Sequence, residues 1–186
     1  MDSIEKSNND IKSQSFEGLF NYLSKMKGEN RSETRFDYID SLISATGVFL
    51  AVSIIGLLAV FFRYPMAIGP LAASCVLVFI AHSGPLSQPR QVIGGYILFT
   101  ATGLIIWSVF DKSLMIIIIS LVIVLILMSL TNTIHPPAAA SALVAINFET
   151  GWGYLIPIII GACLLVFISI LDNNLFSNRQ YPKYWL

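Results

Sequence analysis

The stretch Thr131-Asn132-Thr133-Ile134-His135-Pro136-Pro137-Ala138-Ala139-Ala140-Ser141-Ala142-Leu143 interrupts some of the most hydrophobic sequence in the chain. It introduces two hydroxyls, an amide, an imidazole and two consecutive prolines, and a string of small residues follows. If the flanking segments lie in a bilayer, polar groups at this point are costly and usually face a cavity or the protein interior. The composition of the flanking sequence decides whether they do.

Apolar residues dominate that flanking sequence. Hydrophobic residues make up 55% of the 186-residue chain and charged residues 12%, about half the charged fraction of a soluble domain. Between Ser41 and Asp172 the chain has six charged residues, and long charge-free runs separate them. A soluble chain of this length could not cover so much apolar surface. The sequence therefore predicts an all-α polytopic membrane protein.

Four of the apolar runs are long enough to span a bilayer. They are residues 42–62, 91–110, 113–130 and 151–171. Two further runs, Pro70 to His82 and Pro136 to Phe148, contain 13 residues each. As helices they would rise about 20 Å, against a hydrocarbon core of about 30 Å. Both begin with proline, which suits a first helical position. We therefore expect four full transmembrane helices and two short proline-initiated half-helices, which either start part-way through the membrane or re-enter it.

The polar ends of the chain are expected to flank this transmembrane domain of residues 41–172. Residues 1–40 form the N-terminal tail, in which an amphipathic helix is predicted over 15–27 because its apolar residues share one helical face. This helix would lie on the membrane surface, and packing on the protein's own cytoplasmic side fits equally well. Residues 173–186 form the C-terminal tail.

The distribution of basic residues predicts the orientation. The N-terminal tail and linker carry six Lys and Arg residues and the C-terminal tail carries two, so both termini are expected in the cytoplasm. No signal peptide is visible. We expect a multi-pass protein of a bacterial-type inner (plasma) membrane.

The two short segments resemble each other at an offset of 66 residues. Ile68-Gly69-Pro70-Leu71-Ala72-Ala73 aligns with Ile134-His135-Pro136-Pro137-Ala138-Ala139, and each lies between two long spans. We interpret this order as a two-fold internal repeat, over about 42–110 and about 113–171. Half-helices that cross would make the repeats inverted, and half-helices that re-enter would make them parallel.

The helix starts suggest a binding site. An α-helix N-terminus presents unpaired N–H groups and about half a positive charge, so two such starts meeting at the repeat axis would attract a small anion. His135 could add a proton, and the bland alternative is that it only caps the preceding helix or fixes the broken backbone. The candidate substrate-binding residues are either side-chain donors or helix-start positions: His135, Asn132, Thr131, Thr133, Pro136, Ser141, Gly69, Ser74 and Arg90.

Several other functions are disfavoured. The chain lacks paired acids inside its spans, histidines with partners at metal-ligand spacing, and nucleotide-binding loops, so we expect neither an enzyme nor a metal or other cofactor. Zero formal net charge gives no indication of nucleic-acid binding. Cys75 and Cys163 lie in apolar segments and are expected to be buried small side chains.

Two motifs resemble a known family. Residues 131–143 are similar to the signature of the HPP family of integral membrane proteins, named for its His-Pro-Pro. Pro85-Leu-Ser-Gln-Pro-Arg-Gln-Val-Ile-Gly-Gly95 resembles that family's second motif. The chain has Ala139 where the family pattern suggests Gly, Ser141 where it suggests Thr, and Asn132 where some members have Arg. The resemblance implies four membrane spans and, because plant and cyanobacterial members have been linked to nitrite transport, translocation of a small anion.

These inferences give an anion transporter or channel, with nitrite as the implied substrate, embedded in the lipid bilayer. Because so few helices make a narrow pore, we also expect a homo-oligomer. Two alternatives remain open at this stage. One is a non-transporting regulatory or scaffolding membrane protein that docks through the amphipathic helix. The other is an intramembrane lipid-modifying enzyme with His135 as general base.

Overall fold

The computed structural model of the protein describes residues 20–26 and 37–185. Its regular elements in these ranges are all helical. In the range 37–185, the α-helices labelled α1 to α6 are Tyr38–Phe61, Ile68–Ile80, Gly95–Val109, Leu114–Thr131, Pro136–Asn147 and Leu155–Asn174. Short helical turns lead into three of them: Pro65–Ala67 precedes α2, Arg90–Gly94 precedes α3, and Trp152–Tyr154 precedes α6.

Four helical runs are long and apolar enough to cross a bilayer, which confirms the expected all-α membrane protein with four full spans. The first begins at Tyr38, four residues before the predicted start. Asp37 explains this earlier start, because its carboxylate accepts hydrogen bonds from the backbone N–H groups of Ile39 and Asp40 and so caps the helix. The four runs are Tyr38–Phe61, Arg90–Val109, Leu114–Thr131 and Trp152–Asn174.

The two short helices differ in how they begin. Helix α5 has 12 residues and starts at Pro136, as predicted. Helix α2 has 13 residues but starts at Ile68, and the turn Pro65–Ala67 extends it into one helical run, Pro65–Ile80. The prediction that α2 starts at Pro70 is therefore wrong by two residues. Pro70 lies in the first turn of α2, where a missing N–H leaves no α-helical bond unmade.

The helix ends that meet in space define one side of the bundle, which we call the terminal side. The guanidinium of Arg179, just after α6, places Nε 2.7 Å from Asp40 Oδ1 near the start of α1. Ser44 Oγ in α1 donates to the carbonyl oxygen of Phe79 near the end of α2, at 3.0 Å. The start of α1 therefore lies beside the ends of α2 and α6.

The start of α3 and the end of α4 also lie on the terminal side. Gln88 Oε1, just before α3, accepts a hydrogen bond from the Lys183 backbone N–H at 2.8 Å. Two residues later, Arg90 Nη2 donates to the carbonyl oxygen of Thr131 at the end of α4, at 3.3 Å. The chain thus returns to the terminal side after α2, α4 and α6.

Helices α3 and α5 run in the same direction and lie in close contact. A Cβ atom added to Gly103 in α3 would lie 2.6 Å from Ala142 Cα in α5, so the absence of a side chain permits this approach. At the opposite side of the bundle, Lys112 Nζ donates to the carbonyl oxygen of Asn147 at 2.8 Å, which joins the ends of both helices. Successive helices therefore alternate in direction.

Helix α4 has the most outward-facing surface. Its buried residues are Ser120, Val124 and Met128, whereas most of its isoleucine, leucine and valine side chains are exposed on the described chain. In a bilayer such a surface contacts lipid tails, as its sequence predicts.

The N-terminal segment is described only in part. Residues 20–26 are helical, and Phe20, Leu23 and Met26 are exposed. The rest of the helix predicted over 15–27 lies outside the described residues, and its role at the membrane surface stays a prediction, as do the domain limits of both tails.

The alternating directions predict where labels can reach. In a Cys163→Ser background we expect Ser83→Cys, in the α2–α3 connection, to react with an impermeant thiol reagent on the same membrane face as a tag at the C-terminus. Asp111→Cys, between α3 and α4, should react only on the other face. Reaction of Ser83→Cys on the face opposite to the C-terminal tag, with Asp111→Cys reacting on the tagged face, would show that α2 does not cross the membrane.

Candidate functional site

The side chain of His135 joins three parts of the structure. It lies immediately before α5 and is fully buried. Its Nδ1 atom is 2.9 Å from the carbonyl oxygen of Leu86, and because a carbonyl can only accept, Nδ1 carries a hydrogen. Its Nε2 atom is 2.7 Å from Ser74 Oγ in the middle of α2. The ring therefore connects the start of α5 to α2 and to the loop before α3.

Tyr96, which the sequence analysis did not select, continues this connection into α3. Its fully buried hydroxyl lies 2.7 Å from Ser74 Oγ and 2.5 Å from the carbonyl oxygen of Pro70. Its ring meets the imidazole of His135 edge-on, with centroids 5.6 Å apart. A tyrosine within an apolar span is itself a signal, because a buried phenol usually has a hydrogen-bond partner.

Gly95 makes room for this arrangement. A Cβ atom at Gly95 would lie 3.1 Å from His135 Cβ, tighter than ordinary van der Waals contact, and 3.4 Å from Ala138 Cβ. The second glycine of the Gly94-Gly95 pair thus lets α3 approach the first turn of α5 and brings Tyr96 beside the imidazole.

A second buried polar pair lies farther along α3 and α5. The Thr100 hydroxyl is hydrogen-bonded to Ser141 Oγ, and Ser141 donates to the Ala138 carbonyl oxygen at 2.7 Å. Ser141 follows His135 by six residues, about 9 Å along the helix. This pair places hydroxyl groups deeper in the bundle, beyond the histidine.

The polar residues just before His135 end α4. Asn132 adopts a left-handed conformation with φ 48°, a backbone state that asparagine tolerates at helix ends, and its side chain is exposed. Thr131 Oγ1 donates to the Leu127 carbonyl oxygen at 2.6 Å, and Thr133 Oγ1 donates to the Thr131 carbonyl oxygen at 3.2 Å. Both hydroxyls therefore bond to the backbone, not to His135.

The starts of the two short helices offer fewer free N–H groups than the sequence analysis expects. Pro136 and Pro137 have no N–H, and Ala138 N donates to the His135 carbonyl oxygen at 2.9 Å. At α2, Ile68 N donates to Pro65 O. The expected cradle of unpaired backbone donors is therefore largely absent, because prolines and a preceding helical turn occupy those positions. Any ligand would be held mainly by side chains.

The remaining candidates lie at the edges of the site. Gly69 is exposed, and a Cβ added there would meet nothing within 4 Å. Pro136 is also exposed, and Arg90 is an exposed cation on the Thr131 carbonyl. The structure thus brings together His135 and Ser74, holds Ser141 in a separate pair, and leaves Gly69 outside this group.

The loop that contains Leu86 is itself braced. Gln88 is fully buried, and its Nε2 donates to the carbonyl oxygens of His82 at 3.1 Å and Gly84 at 2.8 Å. Tyr181 Oη donates to the carbonyl oxygen of Ser87 at 2.9 Å. The C-terminal segment, residues 175–185, therefore packs across this loop and indirectly supports the Leu86 bond to His135.

Arg179 anchors that segment. Its side chain is fully buried, and besides its ion pair with Asp40 it donates to Ser44 Oγ at 2.7 Å and to Asn173 Oδ1 at 3.2 Å. Burial, and secondly the Arg179 guanidinium, hold the pKa of His82 below its usual value. This second histidine therefore belongs to the anchor and not to the His135 network.

Both of these regions lie within a known family pattern. The pattern described as the transmembrane region of HPP proteins matches residues 33–182, which include both the His135 region and the braced loop. The chain belongs to the HPP transmembrane family. The HPP motif is thus the start of α5, with its histidine turned into the bundle and Pro136 turned outwards.

Two curated relatives are named as transmembrane proteins of Dictyostelium discoideum. One is 33% identical over 153 residues, covering 77% of this chain and 54% of its own length. The other is 30% identical over 177 residues, covering 88% of this chain and 57% of its own length. The chain thus spans about half the length of the curated relatives it matches. No solved structure matches the chain significantly.

Among the described residues, no group of three or more His, Cys, Asp or Glu side chains could hold a metal ion. The side chains that the site does contain, an imidazole, hydroxyls and a phenol, can form hydrogen bonds and exchange protons.

The anchoring of the C-terminal segment can be tested by substitution. We expect Arg179→Ala to destabilise the protein by about 2–4 kcal/mol, because Ser44, Asn173 and Asp40 lose a buried partner, and to expose the segment to proteolysis. The measurements are the thermal midpoint in detergent and limited proteolysis with a C-terminal tag. Lys112→Ala, which removes an exposed pair with Glu149, is the control and should cost about 0–1 kcal/mol. Equal effects would contradict the assignment.

Proposed function

We propose that this HPP protein is a membrane transporter or channel for a small monovalent anion, with nitrite as the substrate that the family resemblance implies. The observation that carries the proposal is the buried connection of Ser74, Tyr96 and His135 between α2, α3 and α5. Polar and titratable side chains placed among membrane-crossing helices are costly and typically line substrate paths.

The chemistry of these side chains favours an anion over a cation. The imidazole, the phenol and the hydroxyls of the two polar pairs can all donate hydrogen bonds. No carboxylate takes part in the described contacts of either pair. Arg90 lies at the Thr131 carbonyl on the terminal side, where its charge would raise the local concentration of anions.

The pairing of the helices supports an inverted two-fold repeat. Exchanging α1 with α4, α2 with α5, and α3 with α6 converts the set of main helix contacts into itself. Because equivalent helices run in opposite directions, the symmetry axis would lie in the membrane plane, as in many transporters. The main contacts are α1–α2, α4–α5, α1–α6, α3–α4, α3–α5, α2–α6, α2–α5 and α3–α6.

Two glycines at the 66-residue offset support the same repeat. Gly95 of α3 lies against the first turn of α5, where its Cβ would meet His135 and Ala138. Gly161 of α6 lies against the first turn of α2, where its Cβ would be 2.6 Å from Leu71 Cδ1. Equivalent small residues thus admit the starts of both short helices.

The contact of Ser74 with His135 places the start of α5 level with the middle of α2, which supports a short helix that starts inside the bundle. From this level α2 continues for six residues to Ile80, about 9 Å towards the terminal side, and α5 runs about 18 Å the other way. Together these two stretches extend over about 27 Å, close to the hydrocarbon thickness of about 30 Å, so neither short helix needs to span the core alone. The site would lie where the two overlap, the location at which broken-helix transporters bind substrate.

The test is flux through the purified protein in liposomes. We expect uptake of at least one of nitrite, nitrate, formate and chloride above that of protein-free vesicles, and at least about a tenfold decrease with His135→Gln, since the ring is the central member of the polar group. His82→Gln is the matched control, because His82 lies outside that group, and it should retain flux.

Absence of flux for all four anions with unsubstituted protein that is monodisperse and folded would overturn the transport proposal. Homo-oligomer formation, cytoplasmic termini in a bacterial-type membrane and the lack of enzyme activity stay predictions alongside it.

A further inference from the structure

The polar chain through His135 begins and ends on carbonyl oxygens. In order, the contacts are Leu86 O to His135 Nδ1, His135 Nε2 to Ser74 Oγ, Ser74 Oγ to Tyr96 Oη, and Tyr96 Oη to Pro70 O. All four fall between 2.5 and 2.9 Å, the range of hydrogen bonds. The two carbonyls can only accept, so the hydrogens must come from the three side chains between them.

The number of available hydrogens decides how many of the four contacts can be hydrogen bonds, whichever way each hydroxyl points. A neutral imidazole has one N–H, and the serine and tyrosine hydroxyls have one hydrogen each, which makes three hydrogens for four contacts. An imidazolium has two N–H groups, which makes four hydrogens for the four contacts. With His135 protonated, each group donates to the next: Nδ1 to Leu86, Nε2 to Ser74, Ser74 to Tyr96, and Tyr96 to Pro70.

We infer that His135 is a proton-binding site. Binding of the proton completes the four hydrogen bonds of this chain, and release of the proton removes one of them. Burying an unpaired imidazolium would be very unfavourable, and a complete set of charge-assisted hydrogen bonds offsets that penalty. When the proton leaves, two oxygens must face each other without a hydrogen, at the Ser74–Tyr96 or the Tyr96–Pro70 contact. Either break loosens α2 from α3.

Among the groups around the chain, His135 is the one that can gain a proton and become charged. Tyr96 itself and the nearby buried Cys75 and Tyr154, from α2 and the start of α6, are neutral at pH 7 and below. From the α3 start, Arg90 carries a fixed charge and lies at the Thr131 carbonyl. The contacts of the ring include no carboxylate.

If the protein transports an anion as proposed, the proton at His135 acts as a co-substrate; this step rests on the proposed function. One proton and one monovalent anion crossing together move no net charge, so the anion would not have to oppose the membrane potential. The proton bound at His135 would enter with the anion and be released with it on the other side, which leaves the ring neutral and the chain open for return.

The direct test is nitrogen NMR of purified protein labelled with ¹⁵N-histidine, in a His82→Gln background that leaves His135 as the remaining histidine. Equal ¹⁵N shifts of the two ring nitrogens identify the imidazolium, and separated shifts identify the neutral ring. We expect Tyr96→Phe to move the titration midpoint to lower pH by about one to two units, a tenfold to hundredfold loss of proton affinity.

The expected shift with Tyr96→Phe follows from the number of hydrogens that the remaining contacts need. Without the phenol, a neutral ring and Ser74 supply two hydrogens for the two remaining contacts, so the extra proton is no longer needed. Tyr154→Phe is the matched control, because the Tyr154 hydroxyl is buried without a partner among the described residues, and it should leave the midpoint unchanged. Equal midpoints for Tyr96→Phe and Tyr154→Phe, or a ring that stays neutral down to the acid limit of folding, would overturn the inference.

Liposomes separate this inference from the transport proposal. An inward proton gradient should stimulate anion uptake at least several-fold and acidify the lumen by about one proton per anion, after subtraction of protein-free vesicles, which report passive entry of the neutral acid. Anion flux that ignores the gradient would refute the co-substrate role and leave transport intact. If no anion moves, transport and the co-substrate role fall together, and the NMR titration still decides whether His135 binds the proton.

Discussion

The hydrogen bond between His135 and Ser74 is the interaction on which the centre of this HPP protein depends. In a bilayer, a break in the helical backbone survives only where protein groups satisfy the exposed polar atoms. The break between α4 and α5 meets this requirement with its own residues: Thr133 bonds to the backbone at the end of α4, and Ala138 bonds to the carbonyl of His135. The imidazole is thereby turned into the bundle, where α2 and α3 supply its partners.

The second family motif supports this centre from outside. Gln88 uses its amide N–H₂ to hold its own loop and its amide oxygen to hold the C-terminal segment, so the loop has a defined shape and Leu86 O points at the imidazole. Arg179 extends the brace to the start of α1. The second motif, in which the sequence predicted Arg90 as a binding residue, is therefore in large part a structural clamp, and Arg90 remains exposed there as a charged group.

The spans were predictable because apolar length and missing charge are local properties. The break at residues 131–137 was predictable for the same reason, since two prolines and a hydrophilic triplet cannot continue an apolar helix. Prediction was poorer where hydrogen bonding between elements matters. Asn132 was selected for its side-chain amide, and the structure shows in addition that its backbone ends α4; the helix starts were expected to be rich in free N–H groups and are not. Tyr96 was missed because its importance arises from Ser74 and Pro70, over 20 residues away in sequence.

By itself, the sequence determined that the chain is an HPP-type helical membrane protein, where its four full spans lie, and that a histidine stands at the one strongly polar break. Only the tertiary structure decided which groups that histidine meets. It brings Leu86, Ser74 and Tyr96 from three different segments to one imidazole, and so creates a closed hydrogen-bonded chain with one hydrogen too few for a neutral ring. The physical reason is that a buried polar group without a partner is costly, and the partners available are set by how the helices pack.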